Sequence, residues 1–339
     1  MQGGNLNMYN VQVHIGEMLA RNARMFPEKI ALVERAPAEN KRFAITWSEF
    51  DRDANRFSQV LRGMGIKKGD KVMHLMNNSI DWLVAYFGIL RTGAWVVPLN
   101  FRFTAEDIKY CADVAEPQIF IFGAEFKERI EAIKDTLGSV RNYIYVGEDI
   151  PPFAESYSAL LSEAKADPLA DPLNVDITLD DPCGLYFTSG TTGQPKPILL
   201  THKNMEHACI SENRHHLQTE EDVFILIPPL YHTGAKMHWF GSLIVGGPAV
   251  ILKGISPKWV FEAVSEEKGT IVWLLVPWAQ DILLKLDSGE LKIEDYELDQ
   301  WRLMHIGAQP VPPSLIAHWK RYFPQMAYDT IYGLGEGAG

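Results

Sequence analysis

Apolar positions along the chain recur at two spacings, one of about 3.6 residues and one of two or fewer, and segments of each kind take turns. Thr46 and Glu49 stand at capping-box spacing ahead of a helical pattern that runs to about Arg62, where Gly63 and Gly65 close it. "DKVMHLM" is a continuous apolar run with the length of a buried strand. Helical spacing returns in "SIDWLVAYFGILRTG", with Ser79 as its cap and Gly93 as its stop. "AWVVPL" predicts a further strand and Thr104 opens a further helix; "QIFIF", a helix over about 124–137 and "NYIYV" follow. Strands separated by helices predict a mainly parallel sheet covered on its faces.

Between Pro151 and Pro182 the pattern weakens into "ADPLADPLNVDITLDDP", rich in Asp and Pro. We read 167–182 as a linker. It separates a first lobe, 1–166, whose first strands are free to pack with the other lobe, from a second lobe, 183–339. There the alternation resumes. "CGLYF" and "PILLTH" predict strands, 202–217 a helix, "DVFILIP" a strand, about 234–245 a helix and "AVIL" a strand. "SPKWVFEAVSEEKG" predicts a helix, and "TIVWLLVP", "WRLMHIG" and "MAYDTIYG" predict strands. The expected fold class is α/β, two βα lobes with mainly parallel sheets.

Charge and composition narrow the function. A net charge of -11 lacks the clustered Lys and Arg of a nucleic-acid footprint. Cys111, Cys183 and Cys209 are too scattered for a zinc ribbon or a disulfide framework, so we expect reduced thiols. "MQGGNLNMYN" has no secretory character, and no apolar run reaches the roughly 18 residues of a spanning helix. These features predict a cytoplasmic protein and leave a homodimer open.

The chemistry centres on "YFTSGTTGQPKP". Thr188, Ser189, Gly190, Thr191, Thr192 and Gly193 are consecutive small or hydroxylated residues between two predicted strands, with Lys196 at the exit. Backbone N–H groups and hydroxyls of such a turn can converge on a phosphate, and Lys adds a point charge. The spacing is neither a Walker A loop nor GxGxxG, and Ser189 is not in a GxSxG elbow.

The segment resembles the signature loop of the acyl-adenylate-forming enzymes, the superfamily of acyl-CoA synthetases, luciferase and peptide-synthetase adenylation domains; Pro197 departs from the final Gly of that pattern. Three further stretches resemble the family in the right order. "PPLYHTG" (228–234) is similar to the segment lining the acyl pocket, where His232 would close on the acyl group. "HIGAQPVPPSL" (305–315) is similar to the stretch lying against adenine, which implies Gly307, Ala308 and Gln309. "YDTIYGLGEG" (328–337) is similar to the segment whose Tyr stacks on the base and whose Glu binds magnesium, which implies Tyr332, Gly333 and Glu336; Gly335 departs from a usual Thr.

The resemblance implies the large N-terminal domain of the adenylate-forming fold. It also implies the reaction of a carboxylic acid, most like that of an acyl-CoA synthetase. ATP and the acid give acyl-AMP and pyrophosphate, and coenzyme A then takes the acyl group. Lys196, Glu336 and His232 carry the catalytic roles on this reading. The family's small C-terminal domain, with its catalytic Lys, has no counterpart in these 339 residues, so the expectation is an N-terminal piece with impaired turnover. A catalytically silent adenylate-binding protein of the same fold is the alternative.

Substrate-pocket candidates are His232, Lys236, Met237, His238, Trp239 and Trp278, with Trp273 nearby. Several Trp predict a narrow pocket for a medium-chain or ring-containing acid, and the lack of an Asp beside His232 disfavours an amino acid. Lys236 would meet a second carboxylate or, more simply, face solvent. His215 and His216 are adjacent, diverge on a helix and with His207 suggest an exposed polar face. Asn77 and Asn78 are expected as turn and cap residues, and Trp82, Tyr86 and Phe87 as core.

Overall fold

The computed structural model describes residues 13–164, 176–188 and 193–330. The chain enters through α1 (Ile15–Met25), the hairpin of β1 (Ile30–Ala36) and β2 (Lys41–Thr46), and α2 (Trp47–Gly63). Thr46 Oγ1 accepts from Glu49 N and the Glu49 carboxylate accepts from Thr46 N, so the anticipated capping box starts α2. Then come β3 (Lys71–Leu75), α3 (Ile80–Arg91), β4 (Trp95–Pro98), α4 (Ala105–Ala115) and β5 (Ile119–Gly123). Ser79 and Thr104 cap α3 and α4 as their sequences require. After β5 the single helix expected over 124–137 is broken: only α5 (Lys127–Ile133) is α-helical, with a 3-10 turn on each side.

β6 (Asn142–Val146), β7 (Glu155–Ser156) and α6 (Tyr157–Glu163) precede β8 (Pro182–Thr188), β9 (Lys196–Thr201) and α7 (His202–His216). The remainder is β10 (Phe224–Leu226), α8 (Thr233–Leu243), β11 (Ala249–Leu252), α9 (Pro257–Glu266) and β12 (Ile271–Leu275). α10 (Val276–Asp287), β13 (Leu303–Gly307), α11 (Pro313–Tyr322) and β14 (Ala327–Asp329) end the described chain. The strand read from "TIVWLLVP" stops at Leu275, because Pro277 sits in the first turn of α10, where its missing N–H costs nothing.

Among the described residues two seven-stranded sheets result. One has the order β7-β6-β5-β3-β4-β8-β9, the other β14-β13-β12-β10-β11-β1-β2. Among the described residues every pairing is parallel except β1–β2 and β8–β9, each of which closes one edge of its sheet. Sequence position therefore does not equal sheet membership. "CGLYF" and "PILLTH", assigned by sequence to the second lobe, belong to the first sheet through the pairing of β8 with β4. The N-terminal hairpin crosses the other way, β1 lying beside β11.

Helices α3 and α8 are buried nearly all round, as expected of elements enclosed by protein rather than facing solvent. Trp82, Tyr86 and Phe87 are core, as read from their spacing, and pack in one cluster with Trp239, Phe240 and residues of both sheets. α7 and α8 approach closely at Gly241, whose carbonyl accepts from Asn213 Nδ2. A Cβ at Gly241 would stand 1.9 Å from Gln218 Oε1 and 2.9 Å from the backbone nitrogen of Asn213. The Gln can swing away but the backbone cannot. Gly241→Ala is expected to lower stability by about 1–3 kcal/mol, read as a reduced urea midpoint at unchanged slope; an unmoved midpoint would refute that contact.

Candidate functional site

In parallel α/β sheets, ligands collect beyond the carboxyl ends of the strands, beside the point where strand order reverses. The reversals fall at β3, flanked by β4 and β5, and at β10, flanked by β11 and β12. A cavity of about 290 Å³ lies where the ends of β3, β10 and β11 meet, lined by Asn77, Asn78, Phe101, Pro229, Lys253 and Trp278 among others. Asn78 is more than a turn residue. Its Nδ2 donates to Pro228 O at 2.9 Å and its Oδ1 accepts from Leu230 N at 2.8 Å, tying the first sheet to the segment that carries His232. Asn78→Ala would leave the Leu230 N–H unpaired beside a buried carbonyl. A loss of about 1–3 kcal/mol is expected, measured by thermal unfolding; an unchanged melting temperature would disprove the bridge.

The polar loop sits at the tip of the β8–β9 hairpin. Thr188 and Lys196 face each other across its mouth in the last paired register. Lys196 is exposed, with no ion-pair partner among the described residues, so its ammonium is available to an anion. Gly193 has a φ of 91°, a left-handed turn that a side chain resists. Pro197 lies on β9, an edge strand, the part of a sheet where proline is tolerated. Ser189, Gly190, Thr191 and Thr192 lie outside the described residues, as do Tyr332, Gly333, Gly335 and Glu336.

Gly307 ends β13 and is buried, while Ala308 and Gln309 are exposed just beyond the strand. Ala308 has a φ of 66°, rare for a residue with a Cβ, and this turns the chain at the sheet edge. Gly307 and Gly234 both border Trp273: a Cβ would come within 3.4 Å of Nε1 from the first and 3.2 Å of the ring from the second. The start of α8 and the end of β13, far apart in sequence, therefore meet around one indole.

His232 is the N-cap of α8 and is an exposed residue whose ring packs against Tyr231 at a centroid distance of 4.4 Å. The protein mass around it lowers its pKa to about 4, and repulsion from Lys236 and Arg102 adds to the effect. Lys236 does not face solvent, contrary to the sequence reading. It is fully buried, and its Nζ donates to Leu230 O at 2.9 Å and His232 O at 3.1 Å. The rings of Tyr186, Tyr86 and Trp82 enclose it, with centroids 4.7, 5.6 and 5.7 Å away. Burial lowers its pKa to about 7. Trp239 and Met237 point into the core, where the Trp239 indole donates to Gly247 O at 3.3 Å; Trp278 alone of these candidates lines the cavity. The expected wall of Trp residues is thus divided between core and cleft.

The sequence profile of the AMP-binding enzymes matches residues 19–339. The chain belongs to that family. Over 328 residues it is 26% identical to a feruloyl-CoA synthase of an Amycolatopsis species, covering 96% of this chain and 60% of that protein. Over 306 residues it is 28% identical to the long-chain-fatty-acid–CoA ligase FadD13 of Mycobacterium tuberculosis, covering 89% of this chain and 57% of that one. The chain therefore spans about 50–60% of the length of the curated relatives it matches. The inhibitor-bound N-terminal domain of FACL13 from M. tuberculosis superposes with a TM-score of 0.83 at 26% identity, covering 96% of this chain and 77% of that one. This family member accordingly has the N-terminal fold of the adenylate-forming enzymes, and the relatives it matches are CoA ligases. No helix among the described residues is long and apolar enough to cross a membrane.

Sequence reasoning missed a hydrogen-bonded relay joining the start of α8 to the end of β14. His238 Nδ1 lies 2.5 Å from Gly234 O, His238 Nε2 lies 3.1 Å from His305 Nε2, and His305 Nδ1 lies 3.1 Å from Asp329 Oδ2. Both ends of the relay are oxygens that only accept. Three links need three hydrogens, and two neutral imidazoles carry one each, so a filled relay holds one extra proton. Burial lowers both imidazoles to about 4, so near neutrality one link goes without a hydrogen. No spacing in the chain announces this group, because its members come from α8, β13 and β14.

Proposed function

We propose that the intact protein is an ATP-dependent acid–thiol ligase that makes an acyl adenylate and passes the acyl group to coenzyme A. The observation that carries the proposal is the β8–β9 hairpin, with exposed Lys196 opposite Thr188 at the mouth of a loop rich in Gly and hydroxyls. A carboxylate oxygen attacks the α-phosphorus of ATP, an O–P bond forms, and the bond to the β-phosphate oxygen breaks. Such a transfer depends on positioning and charge neutralisation more than on covalent help. Thr188, Ser189, Gly190, Thr191, Thr192, Gly193 and Lys196 would hold the departing phosphates. Gly307, Ala308, Gln309, Tyr332 and Gly333 would flank the base. Magnesium would screen phosphate charge when bound, with Glu336, which lies outside the described residues, as its expected holder.

The acid is a carboxylate without an α-ammonium. Lys236 and Arg102 are the charges acting on His232, and a positive substrate head would be repelled there. His232, low in pKa and exposed, suits a neutral polar contact to the acyl group. The test is ATP–pyrophosphate exchange by the intact protein across a panel of aliphatic, aromatic and dicarboxylic acids. Exchange that requires an acid supports the ligase. Nucleotide binding without exchange for any acid would replace it with the catalytically silent alternative.

A further inference from the structure

The end of α7 and the end of β14 meet through imidazole and carboxylate groups that the proposed ligase reaction does not use. Asp329 Oδ1 lies 3.2 Å from His215 Nε2, and Asp329 Oδ2 lies 2.7 Å from His216 Nε2. The ligand atoms of all three residues fall within 4.8 Å of one another. A tetrahedral ion with bonds near 2.1 Å needs donors roughly 3.4 Å apart, so small side-chain rotations would complete the set. Adjacent helical residues ordinarily diverge, as the sequence reading assumed. Here the helix stops at Leu217, whose left-handed backbone (φ 50°) ends the last turn, and Asp329 reaches both rings from another strand.

Two surrounding groups favour an ion over a bare hydrogen-bonded cluster. Glu212, one turn earlier on α7, stands 3.3 Å from Nδ1 of His216, the nitrogen facing away from Asp329. A carboxylate behind a ligating imidazole is the usual support for a metal-bound histidine. His305 Nδ1, 3.1 Å from Asp329 Oδ2, places a third imidazole against the same carboxylate. His216 is buried while His215 is exposed, which gives a rigid inner donor and an outer one at the entrance. Two imidazoles with one carboxylate suit a borderline transition metal; Mg²⁺ and Ca²⁺ prefer all-oxygen shells.

We propose that His215, His216 and Asp329 form a binding site for a divalent transition metal of the zinc type, separate from any magnesium that accompanies ATP. The ion would fasten the end of α7 to β14, the strand that leads into the segment of Tyr332 and Glu336.

The experiment uses the tag-free, metal-free chain titrated with Co²⁺, followed by its visible ligand-field absorption, and with Zn²⁺ against a chromophoric chelator. One equivalent should bind, and a tenfold excess of Mg²⁺ should leave it in place. His215→Ala changes an exposed side chain and keeps the fold, so its expected affinity loss of at least about tenfold isolates the ligand role. Asp329→Asn should do the same, and Glu212→Gln should weaken binding by about 10–100-fold. His207→Ala, an exposed histidine on the same helix, and Glu336→Gln should leave uptake unchanged. Failure to take up either ion stoichiometrically, or uptake equal in parent, His215→Ala and Asp329→Asn, would overturn the site and leave only a hydrogen-bonded network. Neither result bears on whether the protein adenylates an acid.

Discussion

Replacing Lys196 by Ala in the intact protein is expected to reduce acid-dependent pyrophosphate exchange by about 10²–10³-fold. The side chain is exposed at the start of an edge strand with no ion-pair partner among the described residues, so its removal costs the fold almost nothing. What is lost is a positive charge placed where negative charge accumulates as pyrophosphate departs. Adding Glu336→Ala should bring exchange to background. Lys196→Arg keeps charge but changes shape, and should retain more activity than Ala if charge is what matters. Parent-like exchange by Lys196→Ala, with acid dependence intact, would remove the hairpin from the phosphate-binding role and with it the main support for the ligase.

The second large effect concerns stability, and its sign depends on pH. Lys236 is enclosed by three aromatic rings and, among the described residues, is bonded only to carbonyl oxygens with no carboxylate facing it. Its pKa drops from 10.5 to about 7 because burial penalises the charged form. Below about pH 7 folded and unfolded chains both hold the proton, so the penalty, on the order of 5 kcal/mol, acts in full. Between about 7 and 10.5 the unfolded chain holds more of that proton, so this residue's contribution to stability improves as pH rises. Lys236→Met fills similar volume without charge, but it leaves the buried Leu230 carbonyl without its ammonium donor, a cost of about 1–3 kcal/mol. The Met variant should therefore be more stable than the parent at pH 6 and less stable near pH 10. Urea unfolding at both pH values decides this. A constant offset between the two proteins would mean that folding does not lower the pKa of the amine.

Much of the architecture was present in the order of residues. Capping boxes at Thr46 and Thr104, the Ser79 cap and the alternation of apolar runs specify helices and strands locally, and the structure has them where those signals stand. The hairpin was legible for the same reason: two apolar strands and the turn chemistry between them lie within one short stretch. The family was legible too, since four motifs occur in their expected order and the profile match spans the chain.

Pairing across long separations was not legible. Nothing local tells β8 to join β4, or β1 to join β11, because a strand's partner is chosen by the surface it helps to bury. Lys236 read as a solvated position because helical spacing gives a face but not its neighbour; α8 is enclosed, so every face is interior. His215 and His216 read as divergent because the sequence holds no sign that α7 stops there against Asp329, 113 residues later in the chain. Local chemistry thus set the elements, the hairpin and the kind of reaction to test. Tertiary packing decided which strands share a sheet, which charges lose their water and which side chains converge, because each of those outcomes depends on atoms brought together only when the chain closes on itself.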